Sequence, residues 1–134
     1  MGAKTKIIGV DPVGSVYYDL FHTGKMPPAH SYLIEGIGED FMPGTMDIST
    51  MSDIVQIGDK ESFIMGRRLI REEGLLCGGS SGTAVAGALK FVNERMQWQE
   101  SRKPNVLTIL PDSWSRYLSK HLDDTWMRSK GMLD

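Results

Sequence analysis

The chain has 134 residues, is 40% hydrophobic and 24% charged, and carries a formal net charge of -2. That length suits one domain, or part of one, with enough apolar material for a real core. The charge balance excludes a nucleic-acid footprint, and no apolar run is long enough to span a bilayer. The opening "MGAKTKIIGV" has no charged stretch leading into a long apolar one, so no signal peptide is expected. Cys77 is the single cysteine, so no internal disulfide forms, which fits a reducing compartment. A cytoplasmic protein without membrane or nucleic-acid partners is expected.

"KIIGV" (6–10) reads as a buried strand ended by an Asp11-Pro12 turn. The stretch 14–29 holds Tyr17, Tyr18, Leu20 and Phe21 before "GKMPP", which predicts a short helix or a loop. "SYLIEG" (31–36) reads as a short extended piece running into an irregular loop, "GIGEDFMPG". "DIVQI" (53–57) alternates like a strand. From Asp59, a reasonable N-cap, the period becomes helical: Glu61 lies in the first turn, and Phe63, Leu69 and Ile70 form a stripe ending at Gly74. A short strand is expected at 75–77. A helix over 81–96 follows, with Val85, Leu89, Val92 and Met96 on one face and a first half made of small residues. "KPN" then turns the chain into a buried strand, "NVLTIL" (105–110). The end predicts two short amphipathic helices, the second capped by Gly131.

Strands and helices alternating over short turns imply an α/β fold, a layered and mostly parallel sheet with flanking helices. Ligands on such sheets sit beyond the carboxyl ends of the strands, and "CGGSSGT" lies at one such end. Glycines let a ligand approach the backbone, and a helix N-terminus offers unpaired N–H groups. Gly78 and Gly79 can equally make a plain tight turn with Ser80 or Ser81 as N-cap. Neither the dinucleotide fingerprint nor the Walker loop is present.

"KIIGVDPVGS", "EGIGEDFMP", "EEGLLCGGSSGTAVAGALK" and "NVLTILPDSWSRYLS…HLDDTWMRSKGML" follow one another over the whole chain. In order and spacing they resemble the later part of the catalytic core of the cystathionine beta-synthases, fold-type-II pyridoxal-phosphate enzymes related to cysteine synthase. The resemblance implies residues 1–134 as the later portion of such a catalytic domain. It implies that Ser80 meets the pyridine nitrogen of pyridoxal phosphate and that Gly78 and Gly79 leave room for the flat ring. It implies that Gly36 and Gly38 belong to a mobile loop over the substrates, with Glu35 on the substrate side. Glu39 departs from the tyrosine often found after "EGIG" in animal synthases. Asp112, in "LPDS", either supports the pocket through hydrogen bonds or forms a turn.

The activity implied is replacement of the serine hydroxyl by the homocysteine thiol, giving cystathionine and water. A cysteine synthase acting on an activated serine and sulfide, and a non-catalytic α/β binding module, remain the alternatives. Glu35 and the ending "WMRSKGML" favour the first. In the family, the lysine that holds the cofactor, the phosphate cradle and the substrate-carboxylate loop lie upstream of "KIIGVDP". None of Lys4, Lys6, Lys25, Lys60, Lys90, Lys103, Lys120 and Lys130 matches that lysine's motif. The chain is therefore expected to be one piece of a homo-oligomeric enzyme, inactive without the remainder of the catalytic core. The resemblance includes no heme-binding N-terminal segment and no C-terminal regulatory module of the family.

Other candidates read as structural. Cys77 has no identifiable activating base and ends an apolar stub. His22, His30 and His121 are scattered without metal-ligand spacing, so no metal is expected. Trp98, Trp114 and Trp126 read as anchors of surface helices, and Asp11 as a turn residue rather than a ribose-binding acid.

Overall fold

The computed structural model describes residues 5–96 and 103–134. Strands β1 (Ile8–Pro12) and β2 (Asp53–Ile57) pair in parallel, from Ile8 opposite Asp53 to Pro12 opposite Ile57. The strand expected at 6–10 thus lies two residues further on and contains Asp11-Pro12. Proline is tolerated because it ends the strand, and the Val13 N–H carries the ladder on to the Ile57 carbonyl at 3.1 Å. Asp11 is no turn residue: its buried carboxylate accepts the Tyr18 N–H at 2.9 Å. That bond seats helix α1 (Tyr17–Thr23), which Gly24 ends in a left-handed conformation at φ 70.

Residues 31–36 form no strand. Asp59 reaches across to them instead, accepting the Leu33 N–H at 2.8 Å and the Ile34 N–H at 3.1 Å. Gly58 is consequently the N-cap of helix α2 (Asp59–Glu73), with Asp59 its first helical residue. Phe63 and Leu69 are buried as expected, Ile70 is half-buried, and Gly74 closes the helix at φ 68.

Helix α3 (Gly79–Arg95) starts two residues earlier than expected and buries a different face. Leu89 is 47% exposed, and Val85, Val92 and Met96 are only half-buried. Ser80, Ser81, Gly82, Thr83, Ala86, Gly87 and Phe91 lie inside. Small residues win that face because α2 and β1 approach it too closely for anything larger. A Cβ on Gly82 would stand 2.1 Å from the Ser62 carbonyl oxygen, and one on Gly87 2.4 Å from a Val10 methyl carbon. Between the helices the Thr83 hydroxyl donates to the Ser62 hydroxyl at 2.9 Å, fully buried.

The strand expected at 75–77 reduces to a single antiparallel bridge between Cys77 and Ser113, with Leu75 and Leu76 exposed. The strand expected at 105–110 pairs with nothing among the described residues, and 103–105 make no turn. Strand geometry needs a neighbouring backbone to receive its N–H and C=O groups, and among the described residues none pairs with this segment. The carboxyl end holds one 3-10 turn (Trp114–Tyr117) and helix α4 (Asp124–Ser129), capped by Lys130 rather than Gly131. Met127 and Met132 of this end pack with Phe63 and Ile34 into one apolar cluster, while Val16, Tyr17 and Ile54 make a second beside the sheet. Lys4 and Trp98 lie outside the described residues. The architecture is α/β, a two-stranded parallel sheet with flanking helices.

Candidate functional site

Gly78 is the extended N-cap of α3, at φ -84 and ψ 179, and its N–H donates to the Asp112 carbonyl at 3.1 Å. A Cβ there would fall 2.1 Å from Asp112 Oδ1 and 2.7 Å from Tyr117 Cε2, so only glycine fits. A Cβ on Gly79 would press on Phe63 at 3.1 Å and on His121 Cε1 at 3.3 Å. Ser80 and Ser81 sit inside the first helical turn rather than at the cap, and neither side chain caps the helix. With the cap taken by glycine, the Ser80 hydroxyl in the cleft wall makes no hydrogen bond among the described residues.

That cleft has a volume of about 100 Å³; Gly79, Ser80, Phe63, Tyr117 and His121 form its inner wall. Phe63 stacks on His121 (centroids 4.8 Å apart, 10° between planes) and meets Trp126 edge-on at 5.6 Å. Trp126 is thus a half-buried cleft residue as well as a helix anchor, as the half-buried Trp114 is not. Glu35 from the loop and Lys120 from the carboxyl end form an ion pair across the mouth.

Asp112 proves to be more than a turn residue. Its Oδ2 accepts the Tyr117 hydroxyl at 2.7 Å, its carbonyl holds the Gly78 N–H, and its Oδ1 is buried without a partner among the described residues. Burial first, and the bond to Asp112 second, push the Tyr117 phenol up to about 12, so it stays a donor. Burial first, and the Arg67 charge second, push His121 down to about 4, leaving a neutral imidazole at pH 7.

The loop carries its own constraints. Gly36 and Gly38 take positive φ, 79 and 70, which disfavours any side chain. Gly38 is additionally walled in, since a Cβ would lie 2.5 Å from Pro12 Cγ. The Glu39 backbone is pinned by Ser15 and Val16 while its side chain is exposed, so Glu39 stays outside the cleft.

Of the residues expected from the sequence, Glu35, Gly79 and Ser80 line the cleft, Gly78 and Asp112 brace the turn beside it, and Gly36 and Gly38 do not line it, Gly38 packing on Pro12 and Tyr32 instead. Sequence reasoning missed Phe63, Tyr117, Lys120 and His121 as cleft residues. No local motif marks them, although Tyr117 follows "LPDS" closely enough for its hydroxyl to reach the aspartate. Cys77 is buried with its thiol pushed up by desolvation, the opposite of an activated nucleophile. His22 is bound to the Ile54 carbonyl at 3.1 Å, His30 is exposed, and neither approaches the cleft. Among the described residues, no group of three His, Cys, Asp or Glu side chains could hold a metal, and no helix is long and apolar enough to cross a membrane.

A family model described as pyridoxal-phosphate dependent enzyme matches residues 1–112. The chain belongs to this pyridoxal-phosphate dependent family. It is 44% identical over 131 residues to a cystathionine beta-synthase of Dictyostelium discoideum, covering 96% of this chain and 24% of that one. It is 43% identical over 129 residues to the cystathionine beta-synthase of Oryctolagus cuniculus, covering 96% and 22%. A cysteine synthase of Buchnera aphidicola subsp. Schizaphis graminum is 34% identical over 115 residues, covering 86% and 34%. The chain thus spans about a quarter of the length of the cystathionine beta-synthases it matches.

Proposed function

We propose that this chain forms the later portion of a catalytic domain that replaces the serine hydroxyl by the homocysteine thiol, yielding cystathionine and water. The observation that carries the reading is the Gly78-Gly79-Ser80 turn, which presents an uncommitted hydroxyl at a helix N-terminus. The residues fit pyridoxal phosphate. Glycines at 78 and 79 keep the turn thin beside Asp112 and His121, and the Ser80 hydroxyl in the cleft wall supports the reading that it meets a ring nitrogen.

When bound, that cofactor supplies an electron-withdrawing ring that stabilises negative charge on the substrate. Ser80 contributes a neutral hydroxyl at the ring nitrogen. A carboxylate would hold a proton there firmly, whereas a hydroxyl tempers the electron sink, which suits elimination and replacement over transamination. Asp112, tied to Tyr117 and to the Gly78 N–H, holds the turn in place. Gly36 and Gly38 shape the loop on the substrate side, and Glu35 with Lys120 presents both charge signs to an entering amino acid. The Glu35 carboxylate can exchange Lys120 for the ammonium of homocysteine, a group that hydrosulfide lacks, and this differential interaction sets nucleophile choice. Upstream sequence supplies the cofactor-linking lysine in this reading. The buried, lone Cys77 fits a cytoplasmic setting.

In the full-length protein, Ser80→Ala is expected to retain cofactor and lose roughly 5- to 150-fold in turnover, the effect of one lost hydrogen bond of about 1–3 kcal/mol. Glu35→Gln is expected to lower kcat/KM for homocysteine more than for sulfide, measured with serine saturating. Unchanged turnover in Ser80→Ala removes the turn from the cofactor site. A parent enzyme that uses sulfide with an activated serine, and not homocysteine, selects the cysteine synthase reading instead.

A further inference from the structure

His121 is 1% exposed, and its Nε2 is buried without a hydrogen-bond partner among the described residues. The ring is clamped by its stack on Phe63 and by Tyr117 at 5.0 Å, and its own carbonyl accepts Arg67 Nη1 at 3.0 Å. Its Cε1, bonded to Nε2, abuts Gly79, the residue before Ser80, and the imidazole and Ser80 line the same cleft. A buried polar atom without a partner is costly, and the cleft that His121 lines with Ser80 is where a partner can be met.

We propose that His121 is a positioning residue for Ser80: its Nε2 hydrogen-bonds the Ser80 hydroxyl when the cofactor ring is seated, fixing how that hydroxyl meets the ring nitrogen. A serine hydroxyl carries one proton and two lone pairs and otherwise rotates freely between donating and accepting. An imidazole on one side leaves it a single role on the other. The groups facing His121 are Arg67 from α2, Asp112 and Tyr117 beside the turn, Lys120 next to it, and Glu35 from the loop. Burial and Arg67 together keep the ring uncharged, so it offers one donor and one acceptor nitrogen.

This inference rests on the reading of Ser80 above, and the test separates the two. The full-length protein is loaded with pyridoxal phosphate isotope-labelled at the ring nitrogen, and that resonance is followed against pH. His121→Phe keeps an aromatic ring against Phe63 and removes Nε2. It is expected to move the ring-nitrogen titration by roughly 0.5–1 pH unit, with His121→Gln restoring part of the shift. His121→Phe added to Ser80→Ala is expected to cause no further shift, because the two act as one unit. A shift in Ser80→Ala without one in His121→Phe overturns the role of His121 alone. No shift in either removes Ser80 from the ring nitrogen. Should the phenylalanine variant not fold, the His121 Nε2 resonance of the unsubstituted protein decides: it is expected to move on cofactor binding, and not to move in Ser80→Ala. The same movement in both proteins overturns the proposal.

Discussion

Helices α2 and α3 meet so closely that a methyl group on Gly82 would strike the backbone of Ser62 and Gly66. In the segment 103–111, by contrast, Val106, Leu107 and Ile109 are 54%, 95% and 76% exposed. Both regions are rich in apolar or small residues, yet only the first finds its packing partner among the described residues. The helix pair is a local contact, separated by a short turn, and completes its own burial. An apolar strand needs backbone on its flanks and a layer on its faces, and among the described residues this segment has neither. The outward Leu89, Leu75 and Leu76 tell the same story. Apolar surface of this kind, in a chain covering about a quarter of its relatives, is surface that we read as covered by the rest of the catalytic core.

The comparison can be broken at either region. The largest effect is expected at Gly82→Ala, whose Cβ would lie 2.1 Å from the Ser62 carbonyl oxygen and 2.5 Å from the Gly66 nitrogen. Overpacking against backbone costs on the order of 3 kcal/mol, to be read from the denaturant midpoint of the full-length protein. A loss below about 0.5 kcal/mol would mean that α2 and α3 separate easily and that the tight interface is not a constraint.

Leu107→Ser tests the open region. If the segment stays as exposed as it is here, the change is nearly neutral. If the rest of the core covers it, the loss is about 2 kcal/mol, the cost of uncovering one leucine. We expect the loss, together with slow hydrogen exchange at the amides of residues 105–110. A neutral outcome with fast exchange would leave 103–111 as a surface segment and remove the contrast.

The most gradual effect is a pH dependence on the closed side. The folded pKa of His121 is depressed to about 4, from an ordinary value of 6.5. The unfolded chain therefore takes up a proton first as pH falls, and stability declines from about pH 6.5 to about pH 4, with no further decline from this group below that. The slope approaches ~1.4 kcal/mol per pH unit and should be absent in His121→Phe. An equal slope in both proteins would show that His121 is accessible to protons in the folded state.

Much of this was legible locally. The strand at Asp53–Ile57 and the stop of α2 at Gly74 follow from alternation and from a left-handed glycine, both encoded within a few residues. "CGGSSGT" announced a ligand-approachable turn, because absent side chains and a helix start are themselves local properties. The family was legible in the same way, through motifs in order.

What the sequence could not determine is everything that depends on distance across the fold. Asp59 looked like a cap, and became a tether for Leu33 and Ile34, because the partners lie 25 and 26 residues away. The buried face of α3 was misassigned because apolarity, not closeness of approach, guided the reading; the sheet and α2 selected glycine, serine and threonine instead. His121 looked like a stray histidine until packing set it on Phe63, beside Gly79, with one nitrogen shut away from water. Periodicity and turn chemistry act over a few bonds and can be read residue by residue. Burial, ion pairing and the orientation of a side chain toward a cleft are set by neighbours that only tertiary packing brings together.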